Sequence, residues 1–79
     1  MDTENALKNE TEKWLAKLEQ KAGEIKLLDP KGAWAMENIK AYMSDCRHFY
    51  KAKDFVKSFE AVVYAYGIYE TALNSGLIS

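Results

Sequence analysis

The segment from Ser44 to His48 contains the side chains in this sequence that come nearest to covalent chemistry. On a helix, Ser44 and Asp45 would each lie beside His48, because residues three and four positions apart are neighbours there. A hydroxyl, a carboxylate and an imidazole are the components of an activated nucleophile. Such a relay also needs the imidazole between the other two groups and an oxyanion site, and one regular helix provides neither. We therefore expect surface side chains here and no enzymatic activity.

Metal and cofactor binding are not expected either. The sequence has one cysteine and one histidine, and a zinc site needs three or four such ligands. On a helix, Cys46 and His48 would point to different sides. The sequence also lacks a glycine-rich phosphate loop, an H-E-x-x-H motif and a recognisable pair of carboxylates. We therefore expect no catalytic, metal-binding or cofactor-binding residues in this chain.

Gly67 and its neighbour Tyr64 are the other feature that invites a function. A glycine inside a helix is usually a packing device, but it can also leave an open spot beside an aromatic ring. The basic residues Arg47, Lys51 and Lys53 are close enough in sequence to join them in a site for a small ligand, a nucleotide or RNA. The candidate ligand or interaction surface comprises Asp45, Arg47, His48, Tyr64, Gly67 and Glu70.

Three helical segments would have to position these residues. Apolar residues at helical spacing predict helices over about 3–27, 30–51 and 54–75. Asp29 followed by Pro30 is typical of a helix start, and Asp54 suits the N-cap of the third helix. Gly76 suits the left-handed position that follows a helix end. Three amphipathic helices with short links predict an all-α fold, an antiparallel up-down-up three-helix bundle.

The third helix determines how this bundle must pack. One side carries large residues, and a second side is mostly small: Ser58, Ala61, Ala65, Ile68 and Ala72. Only a narrow polar strip remains, so we expect this helix to be the most buried and to be covered on most sides. The expected core residues are Trp14, Leu18, Ile39, Tyr42, Phe49, Phe55, Phe59, Val62, Tyr66 and Tyr69.

Length and charge limit the remaining possibilities. A chain of 79 residues forms a single domain, here 1–79. Its net charge of −1 predicts no general attraction to nucleic acid or to an anionic membrane. The acidic, polar N-terminus does not resemble a signal peptide, and no apolar run is long enough to span a bilayer. A single cysteine excludes an internal disulfide, and we expect a reducing, cytoplasmic setting.

Parts of the second and third helices resemble a known family. These are the runs YMSDCRHF at 42–49, KDF at 53–55 and SFEAVVYAYG at 58–67, with Gly-Leu at 76–77. They are similar to the mainly archaeal family called domain of unknown function 357. The resemblance, which covers Tyr42 to Leu77, implies a helical bundle from an archaeal cytoplasm with no established activity.

This sequence departs from the family pattern at three positions. Lys53 stands where glycine is usual, Tyr66 where histidine is usual and Glu70 where aspartate is usual. If the family's polar residues form a site, the resemblance implies that Asp45 and Tyr64 are retained in this chain. The change at Tyr66 would remove any acid–base or metal role of the usual histidine.

The sequence therefore favours a non-enzymatic interaction module. The partner would be another protein or a second copy of the chain, docked as a homodimer on the small-residue side of the third helix. This hypothesis is motivated by the apolar surface of that helix, which exceeds what two short neighbours can cover. The alternative is a helical domain that binds a small ligand, a nucleotide or RNA beside Gly67.

Overall fold

The computed structural model describes residues 2–79, which form three helices. They are α1 (Thr3–Ala22), α2 (Pro30–Lys51) and α3 (Phe55–Asn74). Glu12 and Glu19 of α1 contact Tyr50 and Arg47 of α2, so these two helices run in opposite directions. The structure confirms the predicted all-α, up-down-up three-helix bundle.

The helix ends follow from local side-chain chemistry, as the sequence predicts. The carboxylate of Asp29 accepts a hydrogen bond from the backbone N–H of Lys31, and Pro30 is the first residue of α2. Asp54 accepts in the same way from the N–H of Lys57. Both caps satisfy backbone donors that have no partner inside their helix. The predicted bounds of α2 and α3 are therefore confirmed to within one residue.

The predicted end of α1 is wrong. The helix stops at Ala22 rather than near residue 27, and Gly23 is its cap. The following residues are bonded elsewhere: Lys26 and Ser79 exchange two backbone hydrogen bonds of 2.9 Å, and the N–H of Leu28 donates to the carbonyl of Leu77. Glycine disfavours helix by about 1 kcal/mol, and this pairing satisfies backbone groups that a longer helix would have used.

Both α2 and α3 end in the same backbone motif. After α3, Gly76 has φ +75°, and the N–H of Leu77 donates to the carbonyl of Ala72. After α2, the left-handed position is occupied by Lys53, with φ +62°. A side chain at such a φ costs roughly 1 kcal/mol relative to glycine. The tight link between α2 and α3 therefore forms despite an unfavourable residue.

The densest part of the core lies between α2 and α3. Small residues meet there: Ala35 and Cys46 on α2 face Ser58, Ala61, Ala65 and Ala72 on α3, and all six are buried. The hydroxyl of Ser58 donates to the carbonyl of Cys46 across this interface, at 2.7 Å. Because small side chains let helices approach closely, α2 and α3 form the most extensive helix pair of the bundle.

Helix α1 packs mainly on α3 and only slightly on α2. Its Leu18 is fully buried with Ile39 and Val62, as predicted. The predicted core residues Trp14, Tyr42, Phe59, Tyr66 and Tyr69 are only partly buried around this cluster, and Phe49 and Phe55 lie outside it, near the link between α2 and α3. The aromatic side of α3 is thus a half-covered layer beneath α1.

Helix α3 is therefore less enclosed than expected. Besides the predicted polar strip, Val56 and Val63 are about half exposed. The small-residue side of α3 is buried against α2 within the molecule, so it is not available to a second copy. That part of the self-association hypothesis is wrong. Within residues 2–79, none of the helices has both the length and the hydrophobicity that crossing a bilayer requires.

Candidate interaction surface on α2 and α3

An open groove of 620 Å³ runs between α2 and α3 on the side away from α1. Gly67 and Tyr64 line it, so the cleft expected beside Gly67 is present. No residue in its lining is charged, within the part of the chain that the structure describes. The lining comprises Trp34, Ala35, Tyr42, Val63, Tyr64, Gly67, Ile68, Thr71, Ala72 and Leu77. The groove is a surface suited to apolar and aromatic partners.

The middle of the groove is shaped by an aromatic pair and a gap. The rings of Tyr42 and Tyr64 lie 5.7 Å apart at a tilted angle, and Tyr64 is 58% exposed. One turn further along α3, a Cβ placed on Gly67 would meet nothing within 4 Å. Gly67 is therefore not a packing device inside this chain, although that is the commoner role of a helical glycine.

Trp34 is a surface residue of the groove that was not predicted as a site residue from the sequence. Its indole is 67% exposed on α2 and forms one side of the groove. Large aromatic residues are usually at least half buried, so this exposure marks a surface available to a partner. The signal available in the sequence was that Trp34 lies off the apolar stripe of α2, which runs through Ala35 and Ile39.

Glu70 lies at a second, smaller hollow of 320 Å³ between α1 and α3. Gly67 and Val63 border both hollows, so the two are separated only by the ridge of α3. The floor of the second hollow is aromatic, with Trp14 and Tyr66 packed edge to face at 5.2 Å. Tyr66 is thus a packing residue of the α1–α3 layer.

The other predicted site residues are not brought to the groove lining. Arg47 forms an ion pair with Glu19 of α1, with a distance of 2.6 Å between Nη2 and Oε2. His48 is exposed and contacts the ring of Phe49 edge to face. Asp45 is exposed on α2. The residues from Ser44 to His48 thus point to several different sides of the helix.

The basic residues of the ligand hypothesis are also separated from Gly67. Arg47 and Lys51 lie at the hollow between α1 and α2. Lys53 lies at the end of the bundle, near Thr3 and Val56. A phosphate bound beside Gly67 would therefore have none of these three cations in its lining. The structure contradicts the prediction that they form one site with Tyr64 and Gly67.

Cys46 is buried at the α2–α3 interface. Its sulfur lies 3.4 Å from the hydroxyl of Ser58, and burial raises the pKa of the thiol. A buried thiol with a raised pKa is a weak nucleophile, since the thiolate is the reactive form. Within residues 2–79, no group of three or more His, Cys, Asp or Glu side chains is placed to hold a metal ion.

A polar cluster ties α1 to α2 near the other end of the molecule. The phenol of Tyr50 donates a hydrogen bond to the carboxylate of Glu12, which also pairs with Lys8 at 3.3 Å. The hydrogen bond with Tyr50 lowers the pKa of Glu12 and raises that of Tyr50. This cluster is not apparent from the sequence, because its members come from two helices.

Together, the fold and the groove define a small three-helix bundle protein with an uncharged aromatic surface on one side. The chain matches the model of the family described as "Protein of unknown function (DUF357)" over residues 3–78, and it belongs to that family. The resemblance seen from Tyr42 to Leu77 therefore extends through α1.

A solved structure from an archaeon supports both the fold and the family. The chain is similar to protein AF1782 from Archaeoglobus fulgidus, described under the same family model, with a TM-score of 0.86 and 39% sequence identity. The match covers 96% of this chain and 95% of that one. No curated protein matches the chain.

Proposed function

We propose that this protein is a non-enzymatic interaction module that docks another protein surface on the groove between α2 and α3. The observation that carries the proposal is the exposure of the two large aromatic side chains of Trp34 and Tyr64 on either side of Gly67. Exposed aromatic residues of this kind are typical anchors of protein interfaces. The expected setting is the cytoplasm.

Gly67 supports docking because a glycine at this position destabilises α3 and no packing contact within the chain requires it. Glycine in a helix interior destabilises a protein by about 0.5–1 kcal/mol relative to alanine. Nothing in this chain lies within 4 Å of the missing side chain. The absence of a side chain is useful only if something from outside approaches the helix backbone there.

The electrostatics of the groove favour a protein over a nucleotide. Its lining is apolar and aromatic, and its polar side-chain groups are the hydroxyls of Tyr42, Tyr64 and Thr71 and the indole N–H of Trp34. A phosphate is normally met by Arg, Lys or clustered backbone N–H groups. A small ligand remains the rival class, but it would have to be uncharged and largely apolar.

Site-specific photo-cross-linking in cells tests the proposal. A benzophenone amino acid at Val63, which borders the groove, is compared with one at Lys13, an exposed position on α1. We expect a discrete protein adduct from position 63 that is lost in a Tyr64→Lys variant, and no such adduct from position 13. If position 63 gives no adduct, or the same adducts as position 13, the groove is not a docking surface.

The rival class has its own test. Thermal unfolding is measured with a panel of nucleotides, short RNAs and uncharged aromatic compounds. The interaction proposal expects no stabilisation by any of them. A saturable rise in the melting temperature that a Tyr64→Lys variant abolishes would replace docking by ligand binding.

A further inference from the structure

The outer side of α2 along the groove carries a row of residues that would be chemically complementary to the same row running in the opposite direction. The stripe reads Lys31, Trp34, Asn38, Tyr42 and Asp45, with spacings of three, four, four and three residues. Lys31 and Asp45 lie at equal distances on either side of Asn38 and have opposite charges. The indole of Trp34 and the phenol of Tyr42 also lie at equal distances from it. We propose that a second copy of this chain occupies the groove, with the two α2 helices antiparallel and a two-fold axis at Asn38. This inference rests on the docking function proposed above.

The stripe lies on one side of the helix. Lys31, Asn38 and Asp45 are seven residues apart, so they lie within about 40° of one another around α2. The buried residues Ile39 and Cys46 are turned by about 100° from this line. Arg47, which contacts α1, lies on the other flank of α2. The stripe therefore borders the groove.

A two-fold axis at Asn38 brings each residue opposite its complement. Lys31 of one copy lies opposite Asp45 of the second copy, and Trp34 lies opposite Tyr42. Within one chain these charges are roughly 21 Å apart along the helix, so they cannot pair internally. An isologous dimer makes every such contact twice. The arrangement thus satisfies two ion pairs and two aromatic pairs.

The surrounding charges agree with the same orientation. Glu60 is on the stripe of α3 that also carries Tyr64 and Gly67, one turn before Tyr64. Lys57 is drawn over the ring of Phe49, with Nζ 5.6 Å from the ring centre. Beyond the uncharged lining of the groove, the outer stripe of α2 thus has Asp45 at one end and Lys31 at the other. A parallel arrangement of two copies would place like charges together.

Gly67 supplies the space that this packing needs. A second α2 helix lying along the groove crosses α3 near Gly67, where the backbone is bare. The contact area is small, because it depends on one side of one helix and the exposed aromatic residues beside it. Interfaces of this size are weak, so we expect a dissociation constant in the micromolar range, roughly 10–100 µM.

Charge reversal tests the pairing. Lys31→Asp and Asp45→Lys each place two like-charged pairs in the dimer, and we expect each to weaken dimerisation by about tenfold in sedimentation equilibrium. The double variant restores both pairs in reversed order and should recover wild-type dimerisation. A mixture of the two single variants should form heterodimers, since each chain then complements the other. Both positions are exposed, so the variants are expected to fold, and circular dichroism checks this.

Cross-linking across the axis provides a second measurement. Asn38→Cys places two thiols near the two-fold axis, and mild oxidation should give a disulfide-linked dimer. Glu37→Cys, an adjacent exposed position, is the matched control and should remain largely monomeric. The buried Cys46 is present in both variants, so any cross-linking through its thiol contributes equally to the two results.

The outcomes separate this inference from the function on which it rests. A wild-type chain that stays monomeric at several hundred micromolar, or single variants that dimerise as well as the wild type, overturns the second copy as occupant. If position 63 still cross-links to a protein of another mass in that case, the docking function stands and the occupant is a different protein. Loss of both results removes both proposals.

Discussion

Two glycines on neighbouring helices have opposite surroundings. A Cβ on Gly32 of α2 would lie 2.5 Å from the carbonyl oxygen of Leu77, whereas one on Gly67 of α3 would meet nothing within 4 Å. The first glycine allows the C-terminal residues to pack against α2, and the second leaves a space open to solvent. The same residue type thus marks a closed interface in one region and an unfilled surface in the other.

The largest expected effect on stability comes from removing a buried side chain in the closed region. Ile39→Ala removes a fully buried side chain from the cluster that joins all three helices, and it should lower the free energy of unfolding by about 2–5 kcal/mol. Tyr64→Ala, in the open region, should change it by no more than about 0.5 kcal/mol. Urea unfolding at low micromolar concentration measures both. Equal losses would mean that the groove is part of the core.

Alanine substitution at each glycine tests this difference directly. Gly32→Ala should destabilise the protein by about 1–3 kcal/mol, because the methyl group collides with backbone rather than with a movable side chain. Gly67→Ala should stabilise it by about 0.5–1 kcal/mol, since alanine favours helix and nothing obstructs it. Thermal and urea unfolding check the opposite signs. A destabilised Gly67→Ala would show that position 67 is needed for the fold itself.

A smaller effect is expected from the polar contact inside the closed region. Ser58→Ala removes the hydroxyl that donates to the carbonyl of Cys46 at 2.7 Å, and it should cost about 1 kcal/mol. Ser75→Ala, at an exposed helix cap, serves as the control. Urea midpoints of the two variants give the comparison. If they are equal, the buried hydrogen bond adds little to the packing of the small residues.

The smallest effect concerns the exposed cluster of Tyr50, Glu12 and Lys8, and it is seen only as pH changes. The pKa of Glu12 is lowered in the folded state. The stability that its ionised carboxylate contributes is therefore complete above the unfolded-state pKa, about 4.3, and is lost as the pH falls through the folded-state pKa. Tyr50→Phe removes the main cause of this shift. Glu12 should then titrate at a higher pH in NMR, and the variant should lose less stability than the wild type between pH 6 and pH 3. An unchanged Glu12 titration would contradict the hydrogen bond.

The sequence predicted the helices and their caps well because these depend on local chemistry. Asp29, Pro30, Asp54 and Gly76 act on backbone groups a few residues away, and all four have the expected roles. The end of α1 was wrong because the backbone after Gly23 is held by residues 77–79, and no local pattern reveals that pairing.

The depth of burial was harder to predict than the existence of the core. Periodicity identified two apolar sides of α3 and gave no means of ranking them. The side with small residues is buried deepest because it permits the closest approach to α2, and the aromatic side is left half covered. Gly67 and Tyr64 could be selected from the sequence as a candidate site. The place of Trp34 off the apolar stripe of α2 indicated an exposed side chain, but it did not show which flank of α2 remains uncovered.

The uneven attachment of the three helices has a consequence for how the molecule opens. α2 and α3 are joined by a three-residue link and share the tight small-residue interface, so their hairpin closes with little loss of chain entropy. α1 is held mainly through one side of α3 and a longer connection. We therefore expect partial unfolding to begin with the detachment of α1 as a unit, which would expose Leu18 and Val62 while the hairpin of α2 and α3 stays folded.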